Sequence, residues 1–333
     1  MKRKLLFSAL ALLVLIPRPA QAWNDHGHRV IASIAFQKMA PDVRLEVANK
    51  IRKHPRWDQD FESKMPDIVR AGDAQVQAEW IFQQACVWPD IARGFRGEDR
   101  KYNHGNWHWA DLVYDLNSGE SSIRDEKYGV NQSTSPPESA SEDMNPIQRI
   151  SYAKQRITGE VAATGEEISL MYCWFLHSYS DIHQPCHSTA MFSSKLFPKG
   201  DRGSNLIPTK QSRNLHALWD GLLGSDRGFE SCRNEAAKRI EDGDKDSEKA
   251  ALSLGSANDV DAIWEASHAH GVATVYGGEV LKHIQRSEQA GATELQEIDL
   301  SASYLKNSGD KASKQAFIAG CRIASLLAWK RGE

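Results

Sequence analysis

The sequence has no apolar run long enough to cross a membrane. Its longest, Leu5 to Ile16, falls well short of the ~20 residues that a transmembrane helix needs. Basic residues at positions 2–4 precede this run, and the small-x-small segment Ala20-Gln21-Ala22 follows it. This order is typical of a secretory signal peptide cleaved after Ala22. We therefore expect residues 1–22 to be a signal peptide, residues 23–333 to form the mature domain, and the protein to be secreted or periplasmic.

The sequence also lacks an excess of positive charge, with 41 Lys+Arg against 44 Asp+Glu. Four of the basic residues lie in the signal segment, so the mature chain would carry 37 basic and 44 acidic residues, a formal charge of -7. Proteins that bind nucleic acid through a broad surface are basic. Any phosphate ligand must therefore be held locally, and the acidic balance gives no help in binding anionic membranes. We expect no stable membrane association, and no obligate protein partner is evident.

Cysteines are few and odd in number, and they show no C-x-x-C spacing: Cys86, Cys173, Cys186, Cys232 and Cys321. The spacing offers no thiolate metal site. In an exported protein five cysteines allow at most two disulfide bonds, which leaves at least one thiol free or paired between chains.

No alternating run is long enough to require a sheet. Apolar residues recur instead at spacings of three and four, which predicts helices over Asp42 to Lys53, Glu166 to Asp181, Leu215 to Leu223, Val260 to Ile284 and Lys311 to Trp329. A first helix around Val30 should be capped by Asp25. Polar stretches at 117–145, 193–213 and 242–259 are predicted to be surface loops. The expected fold is all-α, a single mainly helical domain with long surface loops.

Two histidine and aspartate pairs have the spacing of one helical turn. His177 with Asp181 and His216 with Asp220 would each project from one face of a helix, and His187 follows the first pair closely. Imidazole and carboxylate together are ligands of zinc. The mixture argues against both an all-thiolate site and an all-oxygen calcium or magnesium site.

Further candidate ligands lie nearer the N-terminus. After cleavage, the α-amine and carbonyl oxygen of Trp23 could chelate a metal, and His28 follows five residues later. Asp90, in a Trp-Pro-Asp turn, offers a carboxylate with Arg93 three residues on, and His108 lies between two tryptophans. Each also has a simpler interpretation: Asp90 as a helix cap, His108 as a core histidine and Arg93 as a surface charge.

Together these residues resemble a known family, and the resemblance runs almost from end to end of the mature chain. The family is that of the secreted zinc-dependent single-strand nucleases of the S-one/P-one type, which share a fold with the bacterial zinc phospholipases C. The matching motifs, in order, are Trp23 with His28, Trp-Pro-Asp90-x-x-Arg93, His108, His177-x-x-x-Asp181-x-His-Gln-Pro-x-His187, Gly-Asp201-x-Gly-x-Asn205 and Asn-Leu-His216-x-x-Trp-Asp220.

The resemblance implies three Zn²⁺ ions per chain. One would be bound by Asp90, His108, His177 and Asp181; a second by the amine and carbonyl of Trp23, by His28 and by Asp181, which would bridge two ions; the third by His187, His216 and Asp220. A water shared by two zinc ions would lose its proton near neutral pH and attack phosphorus.

The resemblance also implies the reaction. Single-stranded DNA and RNA would be cleaved to 5′-nucleotides, with 3′-nucleotidase activity, while Arg93 neutralises charge on the phosphate oxygens. Asp111 is expected to orient the attacking water or a ligand, against the alternative of a simple surface carboxylate. Asp201 and Asn205 are expected to contact substrate. Ser204 stands where the family commonly has a glycine. This position belongs to the substrate wall and not to the metal ligands, so the difference bears on base preference before it bears on catalysis.

Two other functions fit parts of the pattern. A zinc phospholipase C would use the same ligands on a lipid headgroup, but its pattern places a glutamate where this chain has Asp220. A metal-stabilised binding protein without catalysis would be favoured by closed sites of four protein ligands, whereas the third cluster offers only three.

Overall fold

The computed structural model describes residues 23–243, 245–253 and 257–328, and its architecture is mainly helical. The predicted signal peptide lies outside the described residues. The helices are α1 Asp25–Lys38, α2 Pro41–Ile51, α3 Asp67–Arg70, α4 Ala74–Ala92, α5 Pro146–Thr158, α6 Gly165–Asp181, α7 Leu215–Asp220, α8 Phe229–Glu241, α9 Lys245–Ser253, α10 Val260–His270, α11 Gly278–Gln289 and α12 Ala302–Ala328. The prediction of an all-α, single mainly helical domain is confirmed. In the part of the chain that the structure describes, no helix is both long enough and apolar enough to span a bilayer.

Shorter helical turns join these elements. In the described ranges five of them are 3-10 turns, at Glu62–Lys64, Gly97–Tyr102, Gly105–His108, Glu126–Tyr128 and Pro185–His187, and two are π-helical, at Trp57–Phe61 and Gly271–Val275. Two of the 3-10 turns end on histidines, His108 and His187, that the sequence marks as metal ligands. Such turns are short and tightly wound, so they fix the direction of a side chain without extending into a helix.

Helix α6 runs through the core and packs against α1, α2, α4, α5 and α12. It begins with a capping box, in which the Thr164 hydroxyl accepts from the Glu167 N–H and the Glu167 carboxylate accepts from the Thr164 N–H. Every residue from Tyr172 to Asp181 is buried. The helix therefore delivers its last turn, with His177 and Asp181, into the interior of the protein.

Helix α1 packs against α4, α8 and α12 and carries His28 in its second turn. Its cap is Asn24, whose side-chain oxygen accepts from the Gly27 N–H at 3.0 Å. The prediction of Asp25 as the cap was wrong by one residue, because Asp25 already lies in the first turn. There its negative charge still favours the positive end of the helix dipole.

Two short strands form a parallel pair beside the helices. Strand β1, Leu112–Asp115, pairs with β2, Thr189–Phe192, in a register that sets Leu112 opposite Thr189. The pairing extends before the strands, since the Ala110 N–H donates to the His187 carbonyl at 2.9 Å. Although the segments are distant in sequence, this contact brings the His108 turn against the His187 turn.

Several predicted helix boundaries differ from the structure. The helix expected over Val260 to Ile284 is two helices, α10 and α11, with the π turn between them. The second helix begins at Gly278, whose φ of +58° belongs to the left-handed region. Helix α7 ends at Asp220 rather than Leu223, and α12 begins at Ala302, well before Lys311. The polar stretch 242–259 contains α9, and Asp90 lies in the last turn of α4 rather than on a separate turn.

Candidate metal centre

Eight side chains predicted to bind metal converge in the interior, although they come from six separate parts of the fold. Helix α6 supplies His177 and Asp181, and α7 supplies His216 and Asp220; the others are His28 from α1, Asp90 from α4, and His108 and His187 from the two 3-10 turns. All eight are buried. Their ligand atoms form three groups in which the atoms lie within 4.8 Å of one another.

Four of these side chains surround Asp181. Its Oδ1 lies 3.4 Å from His28 Nε2, whereas its Oδ2 lies 3.1 Å from His177 Nε2 and 3.7 Å from His108 Nδ1. Asp90 reaches both sides, with one oxygen 3.7 Å from His108 Nδ1 and the other 3.8 Å from His28 Nε2. The two oxygens of Asp181 therefore face different histidines, so this carboxylate would be able to bridge two ions.

The third group is separate and smaller. His187 Nε2 and His216 Nε2 lie 2.9 Å apart, and His216 Nε2 lies 3.6 Å from Asp220 Oδ2. The other oxygen of Asp220 accepts from the Gln184 side-chain amide at 2.6 Å. One carboxylate oxygen and two imidazole nitrogens thus point at one position, which leaves room for a further ligand.

These separations fit a small tetrahedral cation. Bonds of about 2.0–2.1 Å from zinc to nitrogen and oxygen place neighbouring ligand atoms about 3.3 Å apart. Unbonded polar atoms support the fit: His28 Nε2, Asp90 Oδ2 and both carboxylate oxygens of Asp181 are buried without a hydrogen-bond partner among the described residues. Each such atom costs about 1–3 kcal/mol when left unsatisfied, and a bound cation would satisfy all of them.

Hydrogen bonds to backbone carbonyls on the outer side orient three of the histidines. Nδ1 of His177 lies 2.8 Å from the Cys86 carbonyl, and those of His187 and His216 contact the carbonyls of His108 and Gly203. A carbonyl can only accept, so each Nδ1 carries the proton and each Nε2 keeps its lone pair for a metal.

His28 and His108 are oriented differently. His28 Nδ1 lies 2.7 Å from Ser180 Oγ, and because Ser180 donates its own proton to the His177 carbonyl, its oxygen accepts from His28. His108 instead turns Nδ1 toward the cluster, at 2.8 Å from His177 Nε2. Two ring nitrogens this close repel unless a proton or a cation lies between them.

The protonation states suit metal binding. Burial lowers the pKa of His28, His108 and His187 well below the usual value, so these rings are neutral at neutral pH. Burial also raises the pKa of Asp181 to about 6, against the opposing effect of His177. Gathering buried carboxylates is unfavourable until cations neutralise them, so this arrangement links metal binding to folding.

The cysteines contribute no metal ligand. All five are buried as free thiols, so the disulfides that export would allow remain a prediction from the sequence. Burial raises the pKa of the Cys86 and Cys186 thiols, which keeps them protonated at neutral pH.

The metal centre opens onto a cavity of about 750 Å³. Its wall includes the ligands His108, His187 and His216, and Arg93, whose guanidinium donates to Asp90 at 3.4 Å. The wall also carries three exposed basic residues and an exposed ring: Lys199, Arg202, Arg213 and Trp109. A substrate in this cavity would meet the metal side and the basic side together.

The predicted substrate residues occupy different places. Asp111 lines the cavity, its Oδ1 has no hydrogen-bond partner among the described residues, and burial together with nearby Asp201 raises its pKa to about 8. Asn205 also lines the cavity and is half-buried. Asp201 is fully buried behind the wall, where it accepts from the Met191 N–H at 3.0 Å and the Tyr276 hydroxyl at 2.7 Å. A substrate contact by Asp201 stays a prediction; its contacts in the structure are with the protein.

Trp23 is fully buried at the start of α1. Its indole N–H donates to the Ser180 carbonyl at 3.1 Å, and the next residue, Asn24, donates its N–H to the Asp220 carbonyl at 3.1 Å. Both contacts tie the segment to the two helices that carry ligands. The role of the α-amine depends on cleavage after Ala22 and remains a prediction.

Comparison with known proteins gives one finding on the family. No curated protein matches the chain closely enough to serve as a relative. The model of the S1/P1 nuclease family matches residues 23–329, which is nearly the whole chain. The match includes every residue of the metal centre, and the chain therefore belongs to the S1/P1 nuclease family, whose members are phosphodiesterases that hydrolyse nucleic acid.

Proposed function

We propose that the protein is a zinc-dependent endonuclease that hydrolyses single-stranded DNA and RNA to 5′-nucleotides and also removes the phosphate of 3′-nucleotides. Three Zn²⁺ ions would be held by the eight side chains described above and by the amine and carbonyl of Trp23. The observation that carries the proposal is the opening of the buried histidine and aspartate clusters onto a cavity with basic walls. Export to the periplasm or the medium is part of the same proposal.

The choice of zinc follows from the donor set. The clusters combine neutral imidazole nitrogens with carboxylate oxygens, and the cysteine thiols stay outside them. Such a mixture favours zinc over magnesium or calcium, which prefer oxygen alone. When bound, zinc would lower the pKa of a water molecule and stabilise negative charge on phosphate oxygens.

The chain's own residues would carry the remaining steps. The guanidinium of Arg93, held at the edge of the cluster by Asp90, would donate to the non-bridging phosphate oxygens. Asp111, whose Oδ1 has no hydrogen-bond partner among the described residues, would in its ionised form accept the proton of the attacking water.

One feature of the cavity wall supports the proposed preference for single strands. Trp109 is 40 % exposed and lines the cavity, so an unpaired base could stack on its ring. Stacking of this kind contributes about 1–3 kcal/mol per base and is insensitive to sequence. A paired base inside a duplex could not reach the ring without leaving its stack.

The test is hydrolysis by the purified mature protein. Single-stranded DNA, RNA, duplex DNA, a 3′-mononucleotide and phosphatidylcholine would be assayed before chelation, after chelation and after zinc is restored. We expect zinc-restored release of 5′-nucleotides from single strands and slower cleavage of the duplex. Cleavage of phosphatidylcholine alone would identify the protein as a phospholipase C. Zinc binding without any hydrolysis would identify it as a metal-binding protein without catalysis.

A further inference from the structure

The wall of the cavity is basic although the chain as a whole is acidic. Of the charged side chains among the described residues that line the cavity, four are basic: Arg93, Lys199, Arg202 and Arg213. The only acidic one is Asp111, which is 5 % exposed. The local charge is therefore opposite in sign to the net charge of -3 for the whole sequence.

The four basic residues fall into two sets. Arg93 lies beside the metal ligands and donates to Asp90. Lys199, Arg202 and Arg213 instead come from the connection between β2 and α7, and their side chains are exposed. Arg93 is placed to act on the phosphate that reacts, whereas the other three lie at the rim, where a longer substrate would leave the cavity.

The rim begins at the third metal group. The Gly203 carbonyl accepts from Nδ1 of His216, so the loop that carries Arg202 is bonded directly to a metal ligand. The same loop carries Asn205, whose side-chain amide donates to the Arg202 carbonyl at 2.8 Å. A strand that leaves the His216 side of the cavity would therefore pass along this rim.

The loop is held in one conformation. Arg202, Gly203 and Ser204 have φ angles of +58°, +60° and +70°, and two of these residues are not glycine. Consecutive left-handed residues are costly and persist where the surroundings fix them. Here the buried Asp201 supplies the anchor through the Met191 N–H and the Tyr276 hydroxyl. Basic side chains on such a loop lose less backbone freedom when they bind a ligand than they would on a flexible one.

We propose that Lys199, Arg202 and Arg213 form a subsite for the phosphates of nucleotides that flank the cleaved bond. This inference rests on the proposed nuclease function and deepens it, because it makes an oligonucleotide the preferred substrate over a dinucleotide or a 3′-mononucleotide. The subsite recognises the charge of the backbone and not the identity of the base.

The test compares two variants with the same net charge. In the rim variant K199Q/R202Q/R213Q the three cations of the subsite are removed. In the control variant K64Q/K210Q/K306Q three exposed lysines outside the cavity are removed. Zinc content and circular dichroism would show that both fold, and kcat/KM would be measured on a dinucleotide and on a twelve-nucleotide DNA strand.

We expect the ratio of kcat/KM for the long strand to that for the dinucleotide to fall about tenfold in the rim variant and to stay unchanged in the control. Salt gives a second readout. Three phosphate contacts on a single strand contribute a slope of about -2, so raising salt from about 50 to about 200 mM should lower kcat/KM on the long strand about twentyfold more in the wild type than in the rim variant.

Three outcomes would overturn the proposal of a phosphate subsite. The ratio could stay unchanged in the rim variant, it could fall equally in the control, or the two salt slopes could coincide. Failure of the proposed function would look different, because the wild-type protein would then hydrolyse neither substrate.

Discussion

The hydrogen bonds of Glu288, near the end of α11, allow the effect of a substitution on stability to be predicted bond by bond. Its carboxylate is buried and accepts four hydrogen bonds from the segment that leads into the rim loop. Oε2 accepts from the Ser193 hydroxyl and the Leu196 N–H, both at 3.0 Å, and Oε1 accepts from the Ser194 hydroxyl at 2.9 Å and the Lys195 N–H at 3.0 Å. Each oxygen thus serves one hydroxyl and one backbone N–H.

The substitution Glu288→Gln replaces one of these oxygens by an NH₂ group. A hydroxyl can rotate and accept from it, but a backbone N–H cannot, so one N–H loses its acceptor in either orientation of the amide. The NH₂ should face Lys195, which is exposed, because water can then replace the lost bond there. An unsatisfied group costs about 1–3 kcal/mol, and partial access to water places this one near about 1–2 kcal/mol.

The assay is urea unfolding at fixed free zinc, with Glu294→Gln as the control on an exposed side chain. Burial acts to raise the pKa of Glu288, but its hydrogen bonds lower the pKa below the usual 4.5. Because the pKa of Glu288 is lower in the folded state than in the unfolded state, its ionised carboxylate stabilises the fold fully above pH 4.5, and this contribution is lost as the pH falls further. The wild type should therefore exceed Glu288→Gln in stability at pH 7, and the gap should narrow below pH 4.5. Equal stability at pH 7, or a gap that widens in acid, would refute this reasoning.

Three further predictions concern the site itself. Gly203→Ala should lose the third zinc or fail to accumulate as folded protein, because its Cβ would lie 2.2 Å from the Cys186 carbonyl oxygen at a φ of +60°. Gly309→Ala should keep its zinc content, because beyond the neighbouring backbone of its own helix its Cβ would meet no atom of the described residues within 4 Å. Equal zinc in both variants would contradict the packing argument. Asp111→Asn should keep its zinc and lose about 10²-fold or more in kcat. It should also lose the rise of activity with pH that we expect of the wild type as Asp111 ionises, and an unchanged pH profile would exclude a proton transfer to Asp111. One residue added before Trp23 should displace the α-amine and lower both activity and zinc content, whereas unchanged turnover would show that the amine is not a ligand.

The metal ligands stay a prediction, but two of the candidate pairs could be found from the sequence because each follows a local pattern. The i, i+4 spacing places His177 with Asp181 and His216 with Asp220 on one face, and the structure brings both pairs to buried clusters. The helical fold followed from apolar periodicity, and the main errors lay at boundaries. The break between α10 and α11 depends on a left-handed Gly278, which a periodic pattern does not reveal.

The groups that orient the ligands could not be found from the sequence. Three are backbone carbonyls, those of Cys86, His108 and Gly203, and any residue has a carbonyl. Ser180 is one serine among many, and only the fold brings its hydroxyl to His28. Glu288 lies far along the chain from the segment that it holds, in a helix with no motif. These contacts arise from tertiary packing, which local patterns do not encode.

Three zinc ions are proposed to occupy the buried clusters, two of them sharing Asp181. Anomalous diffraction at the zinc edge, from crystals of the mature protein, tests this proposal most directly. We predict three peaks: two on opposite sides of the Asp181 carboxylate, and one among His187, His216 and Asp220. Fewer than three peaks in zinc-saturated crystals, or no peak between the two sets of histidines that face Asp181, would contradict the account.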